Sequence, residues 1–347
     1  MLGADAAWIF ACSTVSPHLG EHLVAAARQR RLDYTVCDAE EAWRAPRWVG
    51  RLSWHLRDRR APRMTRYAAI VERACRAGRG GYLLTTGQGP LPVGTLRRLG
   101  ARGVVRANFS TDDPWSAAHR SRWFLDALSE YDIVFNPRRA AVDDFRRAGC
   151  RRVEYLPFAY DPTTHFPEAA SSSDLKRFGC DVAFVGGADA DRVPYIDALR
   201  AGGLRVRVYG GYWDRHAHLR PIWGGTVIGG EYRRCVSAAA VNLCLVRRSN
   251  RDGHVMRTFE LAAMRACVLA EDTPEHREVY GGPEDGCVRY FRTLGEMVEQ
   301  ARVMAGDAAL RARMSQALYQ RVTSRPNTYA DRFDAMVRSM ESLRRRS

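Results

Sequence analysis

The chain has 347 residues, enough for two domains of ordinary size, each with its own core. Hydrophobic residues make up 46% and charged residues 27%; the longest apolar candidate, Ala238 to Val246, contains Asn242 and falls far short of the ~18 to 20 residues of a membrane span. Basic residues outnumber acidic ones, 54 − 39 = +15, and Lys176 is the only lysine, so the surface is an arginine surface that attracts nucleotides, anionic headgroups, acidic glycans or nucleic acid.

Met1 to Val15 carries Asp5 where a secretory leader wants positive charge, so it reads as the start of a first strand and the expected location is cytoplasmic. Trp8 to Cys12 is that strand and Ser13-Thr14-Val15-Ser16-Pro17 its exit loop. A helix follows from about His18 to Arg31, then a strand at Tyr34 to Cys37. The Arg- and Trp-rich piece from Trp43 to Arg63 is either an irregular excursion or an acceptor-contacting insert. Tyr82 to Thr85 is a strand that runs into Thr86-Gly87-Gln88-Gly89-Pro90, a loop at the strand edge where open α/β sheets gather ligands. Val104 to Phe109 ends in Ser110-Thr111-Asp112-Asp113-Pro114, where the acids either cap a helix or reach into a site. Tyr131 to Phe135 (strand), Arg138 to Ala148 (helix) and Val153 to Leu156 (strand) complete a first α/β series.

Pro and Ser punctuation then marks a boundary, with residues 1–160 as one domain and 161–180 as linker. The second domain, 181–325, repeats the pattern. Asp181 to Val185 is a strand, Gly186-Gly187 its turn, Asp191 to Arg200 a helix, and Arg205 to Tyr209 a strand ending in Gly210-Gly211. Gly229 to Ser237 is a helix and Val241 to Val246 a strand. The loop Arg251-Asp252-Gly253-His254 leads to a helix carrying Glu260, followed by strands at Cys267 to Ala270 and Val288 to Phe291. A helix from Leu294 to Met304 and a last helical region from Ala308, broken at Pro326, end the chain. The expected class is α/β, two Rossmann-like domains facing across a cleft.

The nine cysteines form no C-x-x-C pair and read as reduced, buried small hydrophobes. His18 with His22, and His216 with His218, lack a third ligand nearby, so no metal is expected. No P-loop, nucleophile elbow or zinc motif occurs. Gly186-Gly187 between strand and helix lets backbone N–H groups approach a phosphate. Arg192 in the first turn either aims a fixed charge at whatever the glycines hold or is a surface arginine, and Arg257, just ahead of Glu260, stands between the same two readings. Asp189-Ala190-Asp191 is either a metal-holding D-x-D or a helix cap. Asp252 and Glu260 could both face a ligand at a helix start, where a carboxylate accepts from ribose hydroxyls and free N–H groups hold phosphate.

VEYLPFAYDPTTHFP, DVAFVGGADADR, VYGGYW and HVMRTFELAAMRACVLAED, followed by NTYADR, together resemble the CgeB-like (spore maturation protein) glycosyltransferases of the GT-B clan. The match is ordered and weakest from Ala39 to Gly80. The resemblance implies a nucleotide-sugar donor (UDP-, GDP- or dTDP-sugar), no other cofactor, an acceptor held by the first domain, and a C-terminal helix, 326–347, crossing back to it. By position, Glu260 resembles the ribose-binding acid of the family's E-x7-E element, and Asp252 the acid that touches the transferred sugar. Gly186, Gly187, Arg192, Gly210, His254, Arg257 and Thr258 fall on the donor side, and Ser13, Thr14, Gly87 and Gln88 on the acceptor side. Relatives carry a His where Asp112-Asp113 stand, which bears on mechanism. Retention needs no protein base, whereas an inverting route would use Asp112 or Asp113. The resemblance favours retention without a metal. Glycan, lipid-linked glycan, protein or small natural product all remain as acceptor. The basic runs Arg28–Arg31, Arg57–Arg63 and Arg344–Arg346 read first as solvated faces, with a membrane surface as the other contact open to them, and nucleic acid is not expected because no recognition motif accompanies the charge. The other class of function is a non-catalytic, coat-associated binding protein.

Overall fold

The computed structural model describes residues 7–15, 18–77 and 81–345; Asp5, Ser16, Pro17 and Arg346 lie outside them. The chain divides into two compact units, Met1–Pro157 with Ser249–Arg251 and Tyr329–Ser347, and Phe158–Arg248 with Asp252–Thr328.

The first unit is built on β1 (Trp8–Cys12), β2 (Tyr34–Asp38), β3 (Tyr82–Thr86), β4 (Val105–Phe109), β5 (Ile133–Asn136) and β6 (Val153–Tyr155). They lie in the order β2-β1-β3-β4-β5-β6, every pairing parallel. All five residues of β1 and of β4 are buried, as a parallel strand covered on both faces requires. The crossovers carry α1 (Gly20–Gln29), α2 (Glu40–Trp43), α3 (Arg47–Leu56), α4 (Met64–Ala77), α5 (Val93–Ala101), α6 (Arg122–Ala127) and α7 (Val142–Arg147). The piece from Trp43 to Arg63 is thus largely helical, not irregular. The single helix expected from Arg138 opens instead as a 3-10 turn, Arg139–Ala141, before α7.

The second unit holds α8 (Ser172–Phe178), β7 (Cys180–Val185), α9 (Val193–Ala201), β8 (Val206–Tyr209), α10 (Gly229–Ala238), β9 (Ala239–Cys244), α11 (Met256–Ala263), β10 (Val268–Glu271), α12 (Pro274–Tyr280), β11 (Arg289–Phe291), α13 (Leu294–Gly306) and α14 (Ala308–Thr323). Its sheet order is β11-β10-β9-β7-β8, again all parallel. The stretch 161–180 is not a plain linker. Ser171 accepts from the Asp174 N–H while Asp174 accepts from the Ser171 N–H, a reciprocal cap that starts α8.

Pro326 falls between α14 and α15 (Tyr329–Arg344), the latter belonging to the first unit. There Phe333 packs edge-on to Trp8 with ring centres 5.2 Å apart, Arg30 pairs with Asp334, and Ser339 donates to Glu154 at 2.8 Å. Phe333, Met336, Val337 and Met340 are all sealed from solvent; each contributes about 2 kcal/mol of burial.

Candidate active site

In the second unit β7 pairs with β8 on one side and β9 on the other, so chain order reverses there. The crevice at the carboxyl ends of the two strands flanking such a reversal is where open sheets take ligands. Gly186-Gly187 leaves β7 at that point. The Gly186 N–H donates to the Tyr209 carbonyl at 2.8 Å, and the Gly186 carbonyl accepts from the Trp213 indole at 2.7 Å. Gly210 approaches from β8 with φ +118; a Cβ on it would sit 2.6 Å from the Gly186 oxygen. Gly210 is therefore dictated by backbone-to-backbone contact, whereas a Cβ at Gly186 would meet the Phe184 ring at 2.7 Å.

Beside this turn lies a cluster of arginines. Arg192, 2% exposed, is held over the Phe184 ring at 5.4 Å and donates to the Gly187 carbonyl at 3.3 Å. Asp189 lies 3.1 Å from it but is shared with Arg247, whose Nε donates at 2.8 Å. Asp191 accepts from the Arg248 N–H at 3.3 Å. The Asp189-Ala190-Asp191 run thus anchors the loop after β9, and neither acid caps α9, whose start has no side-chain cap. Arg248 is spent on Glu271 at 2.8 Å, and Glu271 also accepts from the Val246 N–H at 2.7 Å. Arg257 has no carboxylate within ion-pair distance among the described residues.

The Nε atoms of Arg192 and Arg257 are both buried without a hydrogen-bond partner. Burial, and then the charge of Arg257, push the Arg192 pKa down to about 10, still protonated at neutral pH. Buried donors left unpaired cost about 1–3 kcal/mol each. An anion set against the two guanidinium groups would remove that penalty and neutralise their repulsion.

Glu260 is the fifth residue of α11, one turn deeper than its expected place at the helix start. It is 5% exposed; Oε2 accepts from the Tyr232 hydroxyl at 2.9 Å, and His165 Nε2 stands 3.9 Å from Oε1. Burial, followed by the Glu260 charge, raises the Tyr232 pKa well above its ordinary value, with Arg257 acting in the opposite sense. Arg192, Arg257, Tyr232 and Glu260 therefore form one electrostatically linked cluster. Asp252 is half-buried in the same loop, its N–H on the Arg247 carbonyl at 3.2 Å.

Two residues expected on the donor face are sealed below it. Thr258 is fully buried; its hydroxyl accepts from the Val255 N–H at 3.1 Å and lies 3.0 Å from His276 Nε2. His254 Nε2 accepts from the Phe158 N–H at 3.2 Å, with the ring edge-on to Phe158 and Phe259. Both shape the loop and the start of α11. Sequence reading missed Arg247, Glu271, Tyr232 and His165. An Arg-Arg pair directly after a strand was a readable signal for the first, whereas the other three are brought in by distant elements.

In the first unit, Asp112 and Asp113 separate. Asp113 is 2% exposed, accepts from the Trp115 N–H at 3.0 Å and pairs with Arg251 Nε at 2.6 Å. It closes a turn, because no helix begins until Arg122. Asp112 is half-buried, accepts from the Asn250 amide at 3.1 Å and lies 3.6 Å from His119 Nε2. Of the two, Asp112 has the exposure a proton acceptor needs. Gly87 takes φ +57 and its N–H donates to the Phe109 carbonyl at 2.8 Å. Gln88 donates to the His119 carbonyl and accepts from the Ser121 hydroxyl at 2.8 Å. Ser13 and Thr14 are half-buried at the carboxyl end of β1.

Two parallel Rossmann-like units, with the last helix returned to the first, define the GT-B class of fold. A family model described as glycosyl transferase-like matches residues 192–338, under half of the chain. No curated protein matches the sequence. Among solved structures, sucrose-phosphate synthase from Thermosynechococcus elongatus superposes with TM-score 0.68 at 11% identity, over 99% of this chain and 100% of that one. An alpha,alpha-trehalose-phosphate synthase (UDP-forming) from Burkholderia vietnamiensis gives TM-score 0.66 at 14% identity, over 97% and 100%. Anabaena HepE, in complex with UDP and glucose, gives 0.62 at 12% identity, over 97% and 100%. At such identities the likeness establishes the fold.

Proposed function

We propose that this protein is a glycosyltransferase that takes a sugar from a nucleoside diphosphate sugar bound in the second unit. The observation that carries the reading is the pair of buried, unpartnered guanidinium Nε atoms of Arg192 and Arg257 beside the Gly186-Gly187 turn, with Glu260 in the same cluster. A diphosphate fits the arginines, and ribose hydroxyls fit a carboxylate steadied by Tyr232. Support also comes from the glycosyl transferase-like family match over residues 192–338, which takes in most of this unit, and from structural neighbours described with UDP. Within that class the four ordered motifs favour the CgeB-like branch, and a cytoplasmic location goes with it.

In the retaining route we favour, the acceptor hydroxyl oxygen attacks the anomeric carbon on the face from which the diphosphate departs. The bond from that carbon to the diphosphate oxygen breaks, and the acceptor proton passes to the departing phosphate. The chain's task is to stabilise the charge that develops on the diphosphate, which Arg192 and Arg257 can do without a metal. Asp252 steadies the transferred sugar, while Ser13, Thr14, Gly87 and Gln88 of the first unit contact the acceptor. Incubation with UDP-, GDP- and dTDP-sugars, followed by nucleotide release, tests the reading. Release that disappears in Glu260→Ala supports it; no binding of any nucleotide at millimolar concentration refutes it.

A further inference from the structure

The helix α3, RWVGRLSWHL, buries a single side chain, Ser53, whose hydroxyl donates to the Arg60 carbonyl at 2.6 Å. Its large apolar residues point away from the unit's core: Trp48 is 69% exposed, Leu52 53%, Trp54 44% and Leu56 74%. Trp48, Leu52 and Leu56 recur every four residues and form one stripe along the helix. Arg47, Arg51 and His55, all exposed, form a second stripe directly beside it. Between Arg44 and Arg63 the chain carries seven arginines against one acid, Asp58. At the helix's carboxyl end Arg57, Arg60 and Trp123 border a cavity of about 560 Å³.

We propose that α3 and the arginine-rich segment after it form a docking surface for a bilayer rich in anionic phospholipid. The helix lies in the plane of the interface, its Trp-Leu stripe enters the headgroup and upper acyl region, and its arginines pair with lipid phosphates. Arginine stems adjoining the stripe can stay in apolar surroundings while their heads reach the phosphates. Charge separates this occupant from a second copy of the chain, since two such faces would set arginine against arginine. The exposed apolar stripe separates it from nucleic acid, because leucines four residues apart have nothing to read on a phosphate backbone. The surface is independent of any nucleotide bound elsewhere.

The test uses the full chain without nucleotide and two kinds of vesicle, phosphatidylcholine alone and phosphatidylcholine with phosphatidylglycerol. Co-sedimentation should favour the anionic vesicles by about tenfold or more and weaken as salt is raised. Trp48→Ser with Leu52→Ser should abolish binding without a change in circular dichroism, and Arg47→Gln with Arg51→Gln should weaken it about tenfold. Brominated acyl chains should quench tryptophan fluorescence of the unmutated chain, which reports insertion whether or not the variants fold. Equal binding to both vesicle types, absence of quenching, or binding that survives the Trp48 and Leu52 substitutions overturns the proposal. So does an acidic polypeptide that is held by the same stripe while anionic vesicles are not.

Discussion

Arg192, buried, and Arg257, half-buried, carry charges that oppose one another, and each has a buried Nε that no protein atom accepts from. Such an arrangement is unfavourable in the empty protein and becomes favourable once an anion arrives. Stability and binding should therefore respond in opposite directions to its removal. Arg192→Met keeps the length of the side chain and removes the charge, while Asp189 keeps Arg247 as partner at 2.8 Å. The variant should be as stable as the parent or more so, by about 1 kcal/mol, and bind UDP at least about tenfold more weakly. Thermal melts and calorimetric titration of the same preparation check both halves.

The neighbouring aspartates should part in the same manner. Asp113 is spent on Arg251, whose pKa its hydrogen bond raises. Because Arg251 is partly exposed, Asp113→Ala should cost a discounted amount, about 1–2 kcal/mol in urea unfolding. Asp112→Ala should change stability by less than about 0.5 kcal/mol. Its effect on turnover separates the two chemistries. A loss of about 100-fold or more marks Asp112 as a general base and an inverting route, and activity within a few-fold of the parent marks the retaining route proposed above.

The glycine turn offers a paired comparison on adjacent residues. A Cβ at Gly210 meets φ +118 and the Gly186 oxygen at 2.6 Å, whereas a Cβ at Gly211 meets nothing within 4 Å. Gly210→Ala should cost about 2–3 kcal/mol and Gly211→Ala less than about 0.5 kcal/mol, both read from chemical denaturation.

Acid should unfold the second unit in two windows. Burial lowers the His276 pKa below its ordinary 6.5, so the unfolded chain binds that proton first and stability falls as pH drops below about 6.5. The Arg277 hydrogen bond lowers the Asp272 pKa below 3.8; its contribution is present above that value and is lost as pH falls further. Melting temperature followed from neutral to acid pH should show both declines. His276→Gln should flatten the upper one and leave the lower one in place.

Much of this fold could be read from local pattern. β1 and the Val182 to Val185 part of β7 are short apolar runs bounded by turns, and the structure buries nearly every residue of them. The segment from Trp43 to Arg63 resisted because α3 exposes its apolar residues, so its hydrophobic spacing does not point at the core. Ser171-Ser172-Ser173 read as linker because serine favours both loops and caps, and only the Asp174 N–H decides between them. The local placement of Gly186, Gly187, Arg192 and Arg257, at a strand end and at two helix starts, was legible from the strand, turn and helix pattern. The depth of Glu260 was not, since Tyr232 and His165, which seat it, come from 28 residues and from nearly a hundred residues earlier in the chain. Thr258 and His254 differ from expectation for the same reason, because His276 and Phe158 draw them inward.

The most direct measurement is the equilibrium binding of UDP compared with uridine, on the unmodified chain and on Arg257→Met. Binding of UDP about 100-fold tighter than uridine, with most of that margin gone in the variant, is the predicted result. Equal affinity for the two ligands, or a margin untouched by removal of the Arg257 charge, would contradict a diphosphate held between these arginines.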